Sequence, residues 1–146
     1  NYVSNGFNLK FSNIQAALGL IQLKDLNLRV NKLVRMHKYY LKSLNQNKNF
    51  KIISFNLKQG ELPLWTDVWC KERSKLNKFL ESKGIFCRNY WKPLNTHPAY
   101  KTSFKDLNNS KNLQKKLMWL PSSLDMTAKE QKKVCNSINL FYSKKS

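Results

Sequence analysis

Acid is scarce in this chain. Eight Asp and Glu stand against 27 Lys and Arg, a formal charge of +19 over 146 residues. No pair of acids occupies a clearly buried context, and no Ser/His/Asp arrangement or nucleophile with an adjacent base is visible. The four glycines include no phosphate-cradling loop. The three cysteines, Cys70, Cys87 and Cys135, show no CxxC spacing, and only His37 and His97 stand beside them. Neither a disulfide framework nor a zinc site is indicated, and reduced thiols in a cytoplasmic protein are the simplest reading. No apolar run reaches membrane-spanning length and there is no signal-peptide pattern. Taken by itself, the chain does not read as a complete active site. Its length suits a single domain, 1–146, with a modest core. A start at Asn1, inside a loop and without methionine, suggests a piece of a longer protein.

The basic residues are spread along the whole length, with no Lys/Arg block of five; Lys115-Lys116, Lys132-Lys133 and Lys144-Lys145 are the densest runs. That distribution reads as solvated surface. The alternative is a basic helical module that binds RNA or DNA through its lysines, with Trp and Tyr stacking on bases.

What is present begins at Ser12. Upstream lie glycine, asparagines and aromatics without a helical period; downstream, Ile14, Ala17, Leu18 and Ile21 fall on one helix face, expected to be buried. Ser12 with Gln15 forms a capping-box pattern. The apolar phase slips after Lys24-Asp25 and resumes at Leu26, Val30, Leu33, Tyr40, Leu41 and Leu44, so Ser12 to about Asn45 is two helices or one bent one. His37 falls near the apolar side and reads as a satisfied packing histidine rather than a ligand. Strands are expected at 50–55, 62–70 and 85–88, with a helix over 72–83 that Gly84 stops. Asn89 to Tyr100 is an irregular loop rich in aromatics and proline. A helix near Ser110 is expected to run through Leu113, Leu117 and Met118 to Leu120-Pro121. Thr127 with Glu130 repeats the capping box before a last helix facing inward through Val134, Ile138 and Phe141 or Leu140. The order argues for a small sheet covered by helices.

Binding chemistry gathers in two places. Asn8 and Lys10 precede a helix N-terminus, where free N–H groups and the dipole favour an anion. In the loop after the third strand, Arg88 can fork onto a carboxylate or phosphate and Lys92 adds a charge. Tyr90 and Trp91 offer flat faces for a base or sugar.

The stretch from Gly6 to Leu23, with Asn8 and Ile14-Gln15-Ala16-Ala17-Leu18-Gly19-Leu20, resembles the start of the C-terminal domain of the DegT/DnrJ/EryC1/StrS nucleotide-sugar aminotransferases. Leu64-Trp65-Thr66-Asp67-Val68, Lys83-Gly84-Ile85, Arg88 through Tyr100 and Leu120-Pro121-Ser122-Ser123 are similar to later family segments in the same order. The resemblance implies a pyridoxal 5'-phosphate transaminase that aminates a keto nucleotide-sugar from an amino-acid donor, typically glutamate, in surface-polysaccharide or glycan biosynthesis. It implies the C-terminal portion of a fold-type-I aminotransferase. This is an α/β (α+β) small domain with a long bent N-terminal helix, a mostly antiparallel sheet of about three strands, and helices packed on it. The lysine that carries the cofactor belongs to a large domain absent from this chain, so the chain alone should be inactive. Asn8 and Lys10 would contact cofactor phosphate across a homodimer. Arg88, Tyr90, Trp91, Lys92, Asn95 and His97 would line the substrate site. The implied partners are the large domain or a separate N-terminal polypeptide, a second subunit, nucleotide-sugar and amino donor, with neither nucleic acid nor membrane. Lys10 stands where the family has arginine, Asn89 where it has proline, and Asn95 where it often has histidine.

Overall fold

Both capping boxes form, and they set where the first and last helices begin. In the computed structural model, which describes residues 9–98 and 107–143, the Ser12 hydroxyl accepts from the Gln15 N–H at 3.2 Å. The Gln15 side-chain oxygen accepts from the Ser12 N–H at 2.9 Å. Helix α1 (Asn13–Lys24) starts there, and α2 (Leu26–Ser43) follows across Asp25, so the slipped phase marks two helices. The α1 face expected to be buried is open in this chain: Ile14 is 75% exposed and Leu18 and Ile21 are each 57% exposed. No residue of α1 is buried. The apolar period is real, but nothing among the described residues covers it. Asn8 lies outside the described residues, as do Ala99 and Tyr100.

Helix α2 turns Met36, His37 and Tyr40 inward. At the far end of the chain the Thr127–Glu130 box starts α5 (Ala128–Ser143), with the Glu130 N–H donating to the Thr127 hydroxyl at 3.2 Å. The inner stripe of α5 includes Val134, Ile138 and Phe141, whereas Leu140 points outward. Two side chains of α5 tie it to α2. Gln131 donates to the Met36 carbonyl at 2.7 Å. Asn139 donates to the Ser43 carbonyl at 2.9 Å and accepts from the Asn45 N–H at 3.0 Å, satisfying the end of α2. Between them α3 (Arg73–Glu81) buries Leu76 and Leu80. Gly84 sits at φ +70°, a left-handed value only glycine adopts without cost, and the Ile85 N–H folds back to the Leu80 carbonyl at 2.9 Å.

The sheet has four antiparallel strands in the order β1 (Phe50–Ile52), β2 (Thr66–Cys70), β4 (Leu117–Leu120), β3 (Arg88–Asn89). This corrects the sequence reading at Leu117, Met118 and Leu120. The helix α4 spans only Asn108–Gln114, and the apolar run after it is a central strand, making four strands rather than three. A short buried run has the same composition in a helix or a strand, so period alone does not separate them. The other strands are shorter than expected at both β1 and β2.

Strand alternation gives the sheet two unlike faces. Phe50, Ile52, Val68, Cys70, Met118 and Leu120 form the core with α2, α3 and α5. Asp67, Trp69, Trp119 and Arg88 face the opposite way.

His37 lies in this interior as a packing histidine, but not as the hydrogen-bonded one the sequence implies. It is 1% exposed, edge-on to the Phe55 ring at 5.2 Å, and neither ring nitrogen has a hydrogen-bond partner. Burial lowers its pKa, outweighing the opposing pull of Asp67. The folded state therefore holds it neutral, while the unfolded chain takes up a proton near pH 6.5. Stability should be unaffected above that pH and should fall below it, by up to about 1.4 kcal/mol per pH unit. Denaturant titrations between pH 7 and pH 5 should show this decline, and His37→Leu should flatten it; an equally steep decline in the variant would exclude His37 as its source.

Candidate functional site

The face of the sheet away from the core carries an aromatic cluster centred on Trp119. Register places Trp119 of β4 between Asp67 of β2 and Arg88 of β3. Around its ring stand Tyr90 at 4.5 Å, Trp91 at 4.7 Å and Trp65 at 5.1 Å, centroid to centroid. Trp119 is only 5% exposed, whereas Trp65 and Trp91 are open to solvent, so the cluster has a closed floor and an open rim. The Arg88 guanidinium carbon lies 5.4 Å from the Trp91 ring centre and 5.7 Å from that of Trp119. Stacking engages the faces of a guanidinium and leaves its in-plane N–H donors open.

Tyr90 is fixed at both ends. Its hydroxyl donates to Asp67, and its backbone carbonyl accepts from Gln114 of α4 at 3.1 Å. Burial, with the hydrogen bond and charge of Asp67, pushes the phenol up to about 12, so it stays protonated at neutral pH. The Trp119 indole N–H is buried and meets no acceptor at hydrogen-bond geometry, though it lies close enough to the phenol to oppose that rise slightly.

Arg88, Tyr90 and Trp91 are thus brought together. Asn95 lies beside them in a cleft of about 630 Å³ between this loop and α4, shared with Tyr90, Trp91, Ser110 and Gln114. Its buried side-chain oxygen has no partner. Lys92 and His97 are exposed on the same loop, His97 closing a short 3-10 turn over Leu94–Thr96. Lys10 is exposed just ahead of α1, a helix that leans on α2. Trp65, Asp67, Trp119 and Gln114 were not singled out from sequence. Trp65, Asp67 and Trp69 alternate opposite to the buried positions of β2, a signal that was there to read. Trp119 is hidden in the sequence because its strand reads there as the end of a helix.

The fold recurs in solved aminotransferases. DesV of S. venezuelae, solved in complex with a ketimine intermediate, superposes with TM-score 0.82 at 16% identity, over 97% of this chain and 39% of DesV. Helicobacter pylori PseC, an aminotransferase of pseudoaminic acid biosynthesis, superposes at 0.78 and 18% identity, over 99% of this chain and 41% of PseC. The fold is that of a portion of an aminotransferase. The model of the DegT/DnrJ/EryC1/StrS aminotransferase family matches residues 1–139, and the chain belongs to that family, whose members depend on pyridoxal phosphate. Among curated relatives, GDP-perosamine synthase of Escherichia coli O157:H7 is 29% identical over 144 residues, 96% of this chain and 39% of the relative. UDP-4-amino-4,6-dideoxy-N-acetyl-beta-L-altrosamine transaminase of Campylobacter jejuni subsp. jejuni serotype O:2 is 25% identical over 93% of this chain and 38% of its own length. The chain therefore spans about two fifths of the curated relatives it matches.

Proposed function

We propose that this chain is the C-terminal portion of a pyridoxal-phosphate transaminase that moves an amino group, with glutamate as donor, onto a keto nucleotide-sugar for surface-polysaccharide or glycan synthesis. The observation that carries the reading is the family match over residues 1–139, within which the motifs of the Arg88 loop fold onto one open aromatic face. On this reading the chain is inactive alone, because the lysine that carries the cofactor belongs to a large domain. The uncovered apolar stripe of α1 supports a partner there, either that domain or a separate N-terminal polypeptide, within a homodimer. The work takes place in the cytoplasm, where the three free cysteines stay reduced.

The cofactor contact falls to the segment ahead of α1. The capping box occupies the Gln15 N–H, and the N–H groups of Asn13 and Ile14 are left for an anion, with the Lys10 ammonium two residues upstream of the cap. That donor set fits a phosphate held by a neighbouring subunit, and we assign it to Lys10 together with Asn8. When bound, pyridoxal phosphate supplies the electron sink for amino transfer. The residues of this chain then bind and orient substrate. Arg88 offers charge, Trp65 and Trp91 flat walls, and Lys92, Asn95 and His97 polar contacts along the loop, while Tyr90 is locked by Asp67.

The purified chain incubated with pyridoxal phosphate, glutamate and a keto nucleotide-sugar should transfer no amino group and develop no lysine-dependent cofactor absorbance. Adding a large domain as a separate polypeptide should produce both. A lysine-dependent band in the chain alone would refute the assignment.

A further inference from the structure

We propose that Arg88 and Ser122, walled by Trp65, Trp119 and Phe86, form an oxyanion subsite that takes a single phosphoryl or carboxylate group. The proposal rests on the reading of the Arg88 loop as a substrate surface and adds to it a second segment, the turn after β4. A cleft of about 230 Å³ is lined by Trp65, Phe86, Arg88 and Trp119 together with Leu120-Pro121-Ser122-Ser123. Whole small-ligand sites run from about 300 Å³ upward, so this is a subsite rather than a complete nucleotide-sugar pocket.

Three features give it anion chemistry. Arg88 makes no hydrogen bond or ion pair among the described residues; its contacts are the two indole rings. Contact through ring faces leaves the edge donors of a guanidinium open. No carboxylate lines the cleft, and the one salt bridge among the described residues, Lys75–Glu72, lies elsewhere. The Ser122 hydroxyl has no partner among the described residues, whereas that of Ser123 accepts from the Asp125 N–H at 3.2 Å. The turn itself is held from the core side, where the Tyr40 hydroxyl donates to the Pro121 carbonyl at 2.7 Å, so Ser122 is presented at a defined place beside Arg88. Arg88 is thus a charge set against two indole rings, without a counter-ion of its own among the described residues, and open to a ligand's.

The test follows tryptophan emission of the full chain, since Trp65 and Trp119 line the cleft. Inorganic phosphate and glutarate are titrated at constant ionic strength against potassium chloride. At least one should give a saturable change that chloride does not, with a dissociation constant of order 1 mM. A response to phosphate assigns the subsite to the phosphoryl part of a substrate, and one to glutarate assigns it to the donor carboxylate. Arg88→Gln should weaken binding at least about tenfold and Ser122→Ala a few-fold. Lys42→Gln, which removes the same charge from the far side of α2, should leave it unchanged. No saturable response to either probe, or equal weakening by Arg88→Gln and Lys42→Gln, overturns the proposal. Neither cofactor nor amino transfer enters the measurement, so its failure leaves the transaminase reading standing, and failure of that reading leaves the anion titration valid.

Discussion

Replacing both Leu18 and Ile21 by Glu should leave the thermal transition of the chain unchanged while abolishing its association with a large domain. The two side chains are more than half exposed and α1 buries nothing, so their loss removes no contact that holds the chain together. Glutamate is also as good a helix former as the residues it replaces. In the assembled protein the same face would be covered. Each large aliphatic side chain buried there contributes about 2 kcal/mol, and a buried unpaired carboxylate adds a further cost. The pair should therefore weaken association by at least about 4 kcal/mol, roughly a thousandfold. Calorimetric titration against the separately expressed large domain measures this. If the double variant binds within threefold of the parent, α1 is not the docking face.

Tyr40→Ala should have the opposite profile, a large loss of stability in the chain itself. The Tyr40 ring is fully buried, and its hydroxyl joins α2 to the turn after β4 through Pro121, with Met126 sulfur 3.7 Å away. Removing a buried aromatic of this size costs about 3–5 kcal/mol, a large share of the roughly 5–15 kcal/mol that holds a domain folded. The melting temperature should drop by about 10 °C. Tyr40→Phe keeps the ring and leaves the Pro121 carbonyl without its donor, so its cost should be about 1–3 kcal/mol. Denaturant unfolding of both variants separates the packing part from the hydrogen-bond part. A Tyr40→Phe variant as unstable as Tyr40→Ala would show that the ring contributes little.

Much of the fold was legible because helix boundaries are written locally. Ser12 with Gln15, Thr127 with Glu130 and the glycine at position 84 each act within one turn of chain, and all three behave in the structure as their chemistry dictates. The inward face of α5 and, at Tyr40 and Leu44, that of α2 follow from period, whereas Leu26 at the start of α2 is exposed and the buried Met36 lies outside the expected stripe. The strand β4 was not legible. Its residues are covered by the core on one side and by the Trp65–Tyr90–Trp91 cluster on the other, so Leu117 to Leu120 show the unbroken apolarity of a two-sided element instead of an alternation.

The sequence by itself determined where α1 and α5 start and where α3 stops, which faces are apolar, and, through the order of its motifs, the family. Those properties depend on neighbours within a few residues or on a pattern read along the chain. Only the tertiary structure decided that Trp65, Arg88 and Trp119 meet, that Ser122 faces the same cleft, and that the apolar stripe of α1 has no cover within this chain. Strand register brings together residues far apart in sequence, and exposure depends on what else is present to bury a face; neither is a property of any single segment.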